Sequence, residues 1–203
     1  MKRLPYDEQR RLLLADLHAA MNGIAAKAIT GSGMGYTMAF GVELPRLRQI
    51  AAAVEPDLGL SMSLWQEGVR ELKMLAIMLM PKELFDTATA MQWLSQLPAS
   101  QAELCQLMVL DLISQMPDAP TVAFALMAHE DAMHQTAGFL TVSRILAQGA
   151  TLSPDAEAEY LDQARSLLHS PYAPLARAVS NSLLHYGQTS RQAQHKADSI
   201  LCN

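Results

Sequence analysis

The chain has 203 residues, half of them hydrophobic, and a formal net charge of −5. This length fits one domain or one array of repeats, and the apolar fraction suffices for a sizeable core. Leu, Ala and Met are abundant while β-branched and aromatic residues are few, so the composition favours helices over sheets. The cysteines, Cys105 and Cys202, lie far apart, which is typical of a reducing compartment rather than of a disulfide framework.

The first residues carry no apolar stretch that would serve as a secretory signal, because charged residues such as Asp7, Glu8 and Asp16 interrupt it. The longest uncharged apolar runs, such as Met74 to Met80, are far shorter than the roughly 20 residues of a bilayer span. We therefore expect a soluble, cytoplasmic protein without membrane contact.

The chain begins with an amphipathic pattern over residues 6–21, which predicts a helix. Residues 22–36 contain three glycines between Gly31 and Gly35. These glycines lack the spacing of a phosphate-binding loop, and no predicted strand precedes them. The pattern therefore predicts a flexible connection over residues 22–36.

The stretch from residue 40 to residue 81 predicts a turn followed by three helices. Phe40-Gly41-Val42 reads as the turn, because glycine reaches positive φ at little cost. Pro45 fits the first turn of a helix, and Pro56 ends that helix. A second short helix precedes a long apolar helix that extends from Trp65 to Pro81.

Beyond residue 81 the helical patterns come in pairs. The predicted pairs are 83–96 with 100–116, 119–131 with 132–147, and 154–168 with 172–186, followed by a short helix at 189–200. The Pro and Gly residues that close these units recur at intervals in the thirties, which is typical of an α-solenoid. The sequence thus predicts an all-α superhelix of helix hairpins, with no strand of four or more residues, forming a single domain over residues 1–203.

Few residues suggest chemistry. His129 and His134 are five apart, which on one helix would leave their rings about 140° apart. No third ligand accompanies them, so we predict neither a metal site nor a cofactor. Cys105 lies in an apolar segment without a basic neighbour and is expected to be a buried, inert thiol. Trp65 and Trp93 are expected in the core rather than as platforms for stacked bases.

One sequence pattern carries a family resemblance. It is Phe40-Gly41-Val42-Glu43-Leu44-Pro45-Arg46-Leu47-Arg48, followed by Leu64-Trp65, Glu71-Leu72-Lys73 and Ala76. In these residues the chain resembles the DNA alkylation repair family, the HEAT-like bacterial alkylpurine DNA glycosylases of AlkD type, from about Phe40 to Gly187. The resemblance implies a superhelix of HEAT-like hairpins that binds DNA in a concave channel. It also implies a catalytic set of one aspartate, two tryptophans and an arginine.

The positions that correspond to this catalytic set hold other residues. Gln106 stands at the aspartate, Ala102 at the first tryptophan and Asn181 at the second, while the arginine falls near His134. The resemblance therefore implies that no catalytic residue is retained. It leaves Gln106, His134 and Asn181 as candidate binding residues of the concave face.

The distribution of charge agrees with this interpretation. Residues 1–50 hold seven Lys/Arg and four Asp/Glu, whereas residues 51–203 hold eight and sixteen. Between Glu83 and Ser143 there are seven acidic residues and no Lys or Arg, a pattern that would repel a DNA duplex. We predict that the concave face is neutral or acidic there. If DNA binds, Arg46, Arg48 and Lys73 are the candidate basic contacts.

The sequence leads to two functional hypotheses. The first is a non-catalytic helical-repeat scaffold whose concave face binds a protein partner or, weakly, DNA. The alternative is a divergent DNA glycosylase or damage binder that acts on alkylated purines with a rearranged site. The same scaffold can carry either task, so the fold alone does not decide between them.

Overall fold

The structure, a computed structural model, describes residues 4–202. Over this range the chain forms α-helices and short 3-10 helices, and the only pairing of extended backbone is an isolated bridge between Met38 and Val69. The predicted all-helical chain without a strand of four residues is confirmed for these residues.

The helices follow one another closely along the chain. The first six are α1 (Tyr6–Ala19), α2 (Gly23–Gly31), α3 (Leu44–Ala52), α4 (Leu58–Trp65), α5 (Arg70–Leu79) and α6 (Thr87–Ser95). The next six are α7 (Ala102–Asp111), α8 (Ala119–Met127), α9 (Ala132–Ala147), α10 (Pro154–Leu167), α11 (Ala173–Gly187) and α12 (Arg191–Leu201). Single 3-10 turns lie at Lys82–Leu84, Ala99–Gln101 and Ile113–Gln115.

Local sequence explains most helix starts. A side-chain oxygen caps the first turn of five helices by accepting a backbone N–H that has no intrahelical partner. The capping residues are Asn22, Asp57, Asp131, Ser153 and Ser190. Proline occupies the first turn of four helices, where its missing N–H has no cost. These helices are α3, α8, α10 and α11.

The chain divides into two compact units. The first contains the residues up to Asp86 together with Pro98–Leu107, and the second contains Thr87–Leu97 and the residues from Met108 onward. In the first unit α4 packs on α5, and α1 and α3 pack against this pair. Trp65, Leu60, Leu64, Leu72 and Leu75 are fully buried there, so the predicted core role of Trp65 is confirmed.

In the second unit α9 is the central helix, with α8 and α11 packed along it. Gly138 on α9 permits the close approach of α8, because a Cβ at that position would lie 2.8 Å or less from the backbone of that helix. Phe139 and Tyr160 are fully buried in this core, and Trp93 of α6 is also fully buried as predicted.

One predicted connection is wrong. The segment 22–36 was expected to be flexible because of its glycines, yet its first half is the helix α2. The Asn22 side chain accepts the N–H of Ala25, which caps the helix, and the alanines that follow are the strongest helix formers. The glycines from Gly33 onward form the turn that follows, with positive φ at Gly33 and Gly35.

Among the described residues, no single helix is long and apolar enough to cross a membrane. The pair α1 and α2 meets that criterion only when taken together across a bend of 107°.

Candidate functional site

The residues that carry the family resemblance form a buried turn in the first unit. Phe40, Gly41 and Val42 are buried, and the carboxylate of Glu71, at the start of α5, is fully buried beside them. One oxygen of Glu71 accepts the N–H of Phe40 at 2.9 Å, and the other accepts the N–H of Gly41 at 3.0 Å. Because two peptide groups and an arginine satisfy this carboxylate, the motif holds the scaffold together and offers no reactive group.

The turn also packs directly against the start of α2. Gly41 has φ +70°, and a Cβ there would lie 2.5 Å from both Ala26 N and Asn22 O, which are backbone atoms of the first turn of α2. The N–H of Asn22 donates to the carbonyl of Phe40 at 3.0 Å. Glycine is therefore required at position 41 for its conformation and also for the closeness of α2.

A second polar cluster joins α5 to α7. The Arg70 guanidinium donates two hydrogen bonds to the Glu103 carboxylate, at 2.8 and 2.7 Å, and contacts Glu71 at 3.2 Å. The Tyr36 hydroxyl donates to the same Glu103 at 2.8 Å. Burial opposes the charge of Glu103, but these hydrogen bonds and the arginine charge hold the pKa of its carboxyl below the usual range. Burial, followed by the bond to Glu103, raises the pKa of Tyr36.

The contacts of this cluster determine which polar side chains of α7 could contact a ligand. Gln106, at the position predicted for the catalytic aspartate, is exposed, whereas Cys105 beside it is fully buried as expected. Glu103 lies one turn earlier, and its carboxylate is already bound to Arg70 and Tyr36. Asp111 is half-buried, and its Oδ2 is closed off from solvent. The carboxylate one turn from Gln106, that of Glu103, is therefore engaged by the scaffold.

His134 does not lie where the sequence placed it. It was a candidate for the binding face, but its side chain is 1% exposed. Its Nδ1 lies 2.8 Å from Asp131 Oδ1, and its Nε2 lies 3.2 Å from the carbonyl oxygen of Met91. Nδ1 thus contacts the residue that caps α9 itself, and Nε2 joins α9 to α6, so we remove the buried His134 from the candidate contacts.

The geometry predicted for the two histidines is also wrong. His129 and His134 stack with ring centroids 3.9 Å apart and an interplanar angle of 16°. The expectation of rings about 140° apart assumed one continuous helix. However, α8 ends at Met127 and α9 begins after Asp131, so His129 lies in the connection and folds back over His134. Within residues 4–202 no three His, Cys, Asp or Glu side chains converge as a metal site would require.

The remaining candidates differ in their availability. Asn181 is exposed on α11. Arg46 and Arg48 are exposed on α3, where Arg46 donates to Gln49 at 2.9 Å. Lys73 is half-buried in the first unit. Its Nζ donates to the carbonyl of Trp65 at 2.5 Å and lies 4.6 Å from the centre of that ring, and burial lowers its pKa. A contact of Lys73 with DNA stays a prediction.

Most of the acidic side chains between residues 83 and 143 are exposed to solvent. Five of its seven acids are exposed, and Glu103 and Asp111 are half-buried. The exposed acids are Glu83, Asp86, Asp118, Glu130 and Asp131. Since no Lys or Arg accompanies them between residues 83 and 143, the helices of this stretch offer no cation to a phosphate.

Sequence reasoning missed the cluster of Tyr36, Arg70 and Glu103. The only signal was Glu71, which the family pattern contains next to Arg70. Glu103 and Tyr36 lie far from it in sequence, so only the fold reveals that they meet.

Comparison with known proteins agrees with this architecture. A family model described as DNA alkylation repair enzyme matches residues 13–197. A solved structure from a family of proteins related to the HEAT-like repeat DNA glycosylases, with affinity for branched DNA structures, superposes with a TM-score of 0.76. The two chains are 17% identical, and the match covers 94% of this chain and 80% of the other. This likeness confirms the HEAT-like helical-repeat fold. No curated protein sequence matches the chain significantly.

Proposed function

Because this chain belongs to the DNA alkylation repair enzyme family, we propose that it is a non-catalytic member that binds branched DNA by its structure. The observation that carries the proposal is on α7. Gln106 stands where the resemblance expects the catalytic aspartate, and the carboxylate of Glu103, one turn earlier on α7, is bound to Arg70 and Tyr36.

The chemistry of base excision supports the absence of catalysis. Cleavage of a glycosidic bond builds positive charge on the sugar, and a fixed carboxylate is the group that stabilises this charge best. The amide of Gln106 offers only a neutral dipole. Glu103 cannot substitute for the aspartate, because its charge is already balanced by the bidentate contact from Arg70. Ala102 and Asn181 also lack the aromatic surface that would hold a damaged base.

Two observations favour branched DNA as the ligand. The structural neighbour has affinity for branched DNA structures. In addition, seven of the fifteen Lys/Arg lie within residues 1–50, while the stretch from Glu83 to Ser143 contains none. A long linear duplex requires cations along its whole path, whereas a branch point brings several phosphates to one place. The charge pattern therefore suits a compact contact better than an extended groove.

The alternative hypotheses remain distinct outcomes of the same experiment. A protein partner would engage the exposed acids of the stretch from residue 83 to residue 143 and would leave DNA unbound. A divergent glycosylase would bind a linear duplex containing an alkylated purine more tightly than an undamaged branch. That the concave face is neutral or acidic between Glu83 and Ser143 stays a prediction.

A binding titration with matched DNA substrates tests the proposal. Fluorescently labelled four-way junctions, linear duplexes with the same arm sequences and the same duplexes carrying an alkylated purine are titrated with the protein between about 50 and 200 mM salt. We expect tighter binding to the junction, with a log–log salt slope of only about −2 to −4 because few phosphates are neutralised. Equal affinity for the junction and the undamaged duplex, or no binding to either, contradicts the proposal.

A further inference from the structure

The helix α2 exposes its apolar side chains instead of burying them. Its sequence is GIAAKAITG, and none of its residues is buried. Ile24 is 86% exposed, more than any other large hydrophobic side chain among the described residues, and Met21 just before the helix is 50% exposed. Ile24, Lys27 and Ala28 are all exposed at helical spacing and therefore share one outward face.

Main-chain contacts hold this helix in place. The carbonyl of Asn22 and the N–H of Ala26 lie directly over Gly41, and the N–H of Asn22 donates to Phe40 O at 3.0 Å. The buried carboxylate of Glu71 fixes the Phe40-Gly41-Val42 turn that lies beneath the helix. A helix that is anchored by its backbone leaves its side chains free for another molecule. Exposed apolar surface displayed in this way marks an interaction site.

The unit that contains α2 has most of the exposed apolar side chains, and Lys27 lies on the same face of the helix as Ile24. Nine of the eleven large hydrophobic side chains that are exposed among residues 4–202 belong to the first unit. Residues 1–50, which include α2, contain seven Lys/Arg against four Asp/Glu, whereas the rest of the chain is acidic. Apolar wedges flanked by cations are the means by which many architectural proteins enter DNA between bases.

We propose that α2 is the element that meets the branch point of the DNA, with Ile24 and Met21 against exposed base faces and Lys27 at an adjacent phosphate. This inference rests on the proposed function. At a branch the continuous stack of base pairs is interrupted, so apolar faces are exposed that a linear duplex lacks. The contact thus explains a preference for branched over linear DNA without any residue that reads the sequence of bases.

Three single variants separate the parts of this contact. Ile24→Gln removes the apolar wedge and keeps a good helix former. Lys27→Gln removes the charge at the same face of α2. Leu184→Gln is the matched control, since Leu184 is 55% exposed on α11 in the second unit. All three side chains are exposed, so each variant is expected to fold, and circular dichroism with thermal unfolding checks this.

The affinities for the four-way junction and for the linear duplex then give the answer. We expect Ile24→Gln to weaken junction binding about tenfold, with duplex binding unchanged. Lys27→Gln should weaken both and reduce the steepness of the salt slope by about 1. Leu184→Gln should bind as the unmodified protein does. If Ile24→Gln binds the junction normally, the inference is overturned while the proposed function stands.

Binding partners of α2 other than DNA would give different results. If the unmodified protein shows no preference for the junction, the proposed function fails and the inference fails with it. Vesicles containing phosphatidylglycerol are the second probe, and analytical ultracentrifugation is the third. Vesicle binding, or a self-association, that Ile24→Gln abolishes while junction binding persists would overturn the inference in favour of a membrane surface or a second copy.

Discussion

The seating of α2 on the turn at Gly41 leads to a quantitative prediction for Gly41→Ala. The new Cβ would lie 2.5 Å from Ala26 N and Asn22 O, whereas an ordinary contact between such atoms is about 3.5 Å. Both obstructing atoms belong to the backbone, so no side-chain rotation relieves the overlap. Either α2 or the turn must move by about 1 Å.

Two contributions add up in this variant. A non-glycine residue at φ +70° costs about 1–2 kcal/mol, offset by about 0.4–1 kcal/mol because alanine restricts the unfolded chain. Overpacking against fixed atoms costs about 1–3 kcal/mol more. We therefore expect Gly41→Ala to lower the free energy of unfolding by about 1–5 kcal/mol.

Gly33→Ala is the matched control. Gly33 has φ +74°, almost the same as Gly41, and nothing lies within 4 Å of a Cβ built there. Only the conformational contribution applies, so its cost should be about 1 kcal/mol or less. Urea unfolding followed by circular dichroism measures both variants under the same conditions. If Gly41→Ala is no more destabilising than Gly33→Ala, then α2 does not rest on the turn as described.

Two further predictions concern the charged groups of the first unit. The depressed pKa of Glu103 means that its contact with Arg70 stabilises the fold above the unfolded pKa and is lost as the pH falls below about 4. Glu103→Gln should therefore flatten the acid limb of the stability curve measured by urea unfolding, and an unchanged limb would contradict the assignment. Lys73→Gln should lower the free energy of unfolding by about 1–2 kcal/mol through its lost contacts with Trp65. Arg46→Gln, its exposed control, should change that free energy by less than about 0.5 kcal/mol, and equal effects would contradict the buried role of Lys73.

The sequence predicted the helices well where apolar spacing and proline starts coincide. Pro45, Pro154 and Pro174 each lie in the first turn of a helix, as expected. The helix α2 escaped prediction because its neighbouring glycines indicated a loop, and the cap from Asn22 was not recognised as a helix start. The long predicted helix over residues 100–116 is divided, since Leu112 leaves the helical conformation with ψ −68° and φ −123°.

The candidate site was less predictable than the fold. Exposure depends on which face of a helix meets a neighbour, and the sequence of α9 alone could not show that His134 faces α6. Lys73 likewise contacts a carbonyl of the preceding helix, which no periodicity reveals. The family pattern around Phe40 identified the family correctly, yet its residues support the scaffold rather than bind a ligand.

Base release from alkylated DNA tests whether this chain lacks glycosylase activity. The protein in excess is incubated with duplex DNA carrying 7-methylguanine, and free base is measured over time for the unmodified chain and for Gln106→Asp. We expect no release by the unmodified chain above the spontaneous rate, because losing a preorganised electrostatic group costs about a hundredfold or more in rate. Release by Gln106→Asp alone would agree with the assignment of position 106 to the missing aspartate. Robust release by the unmodified protein would contradict a non-catalytic role, since Gln106 carries no charge and the Glu103 carboxylate is bound to Arg70 and Tyr36.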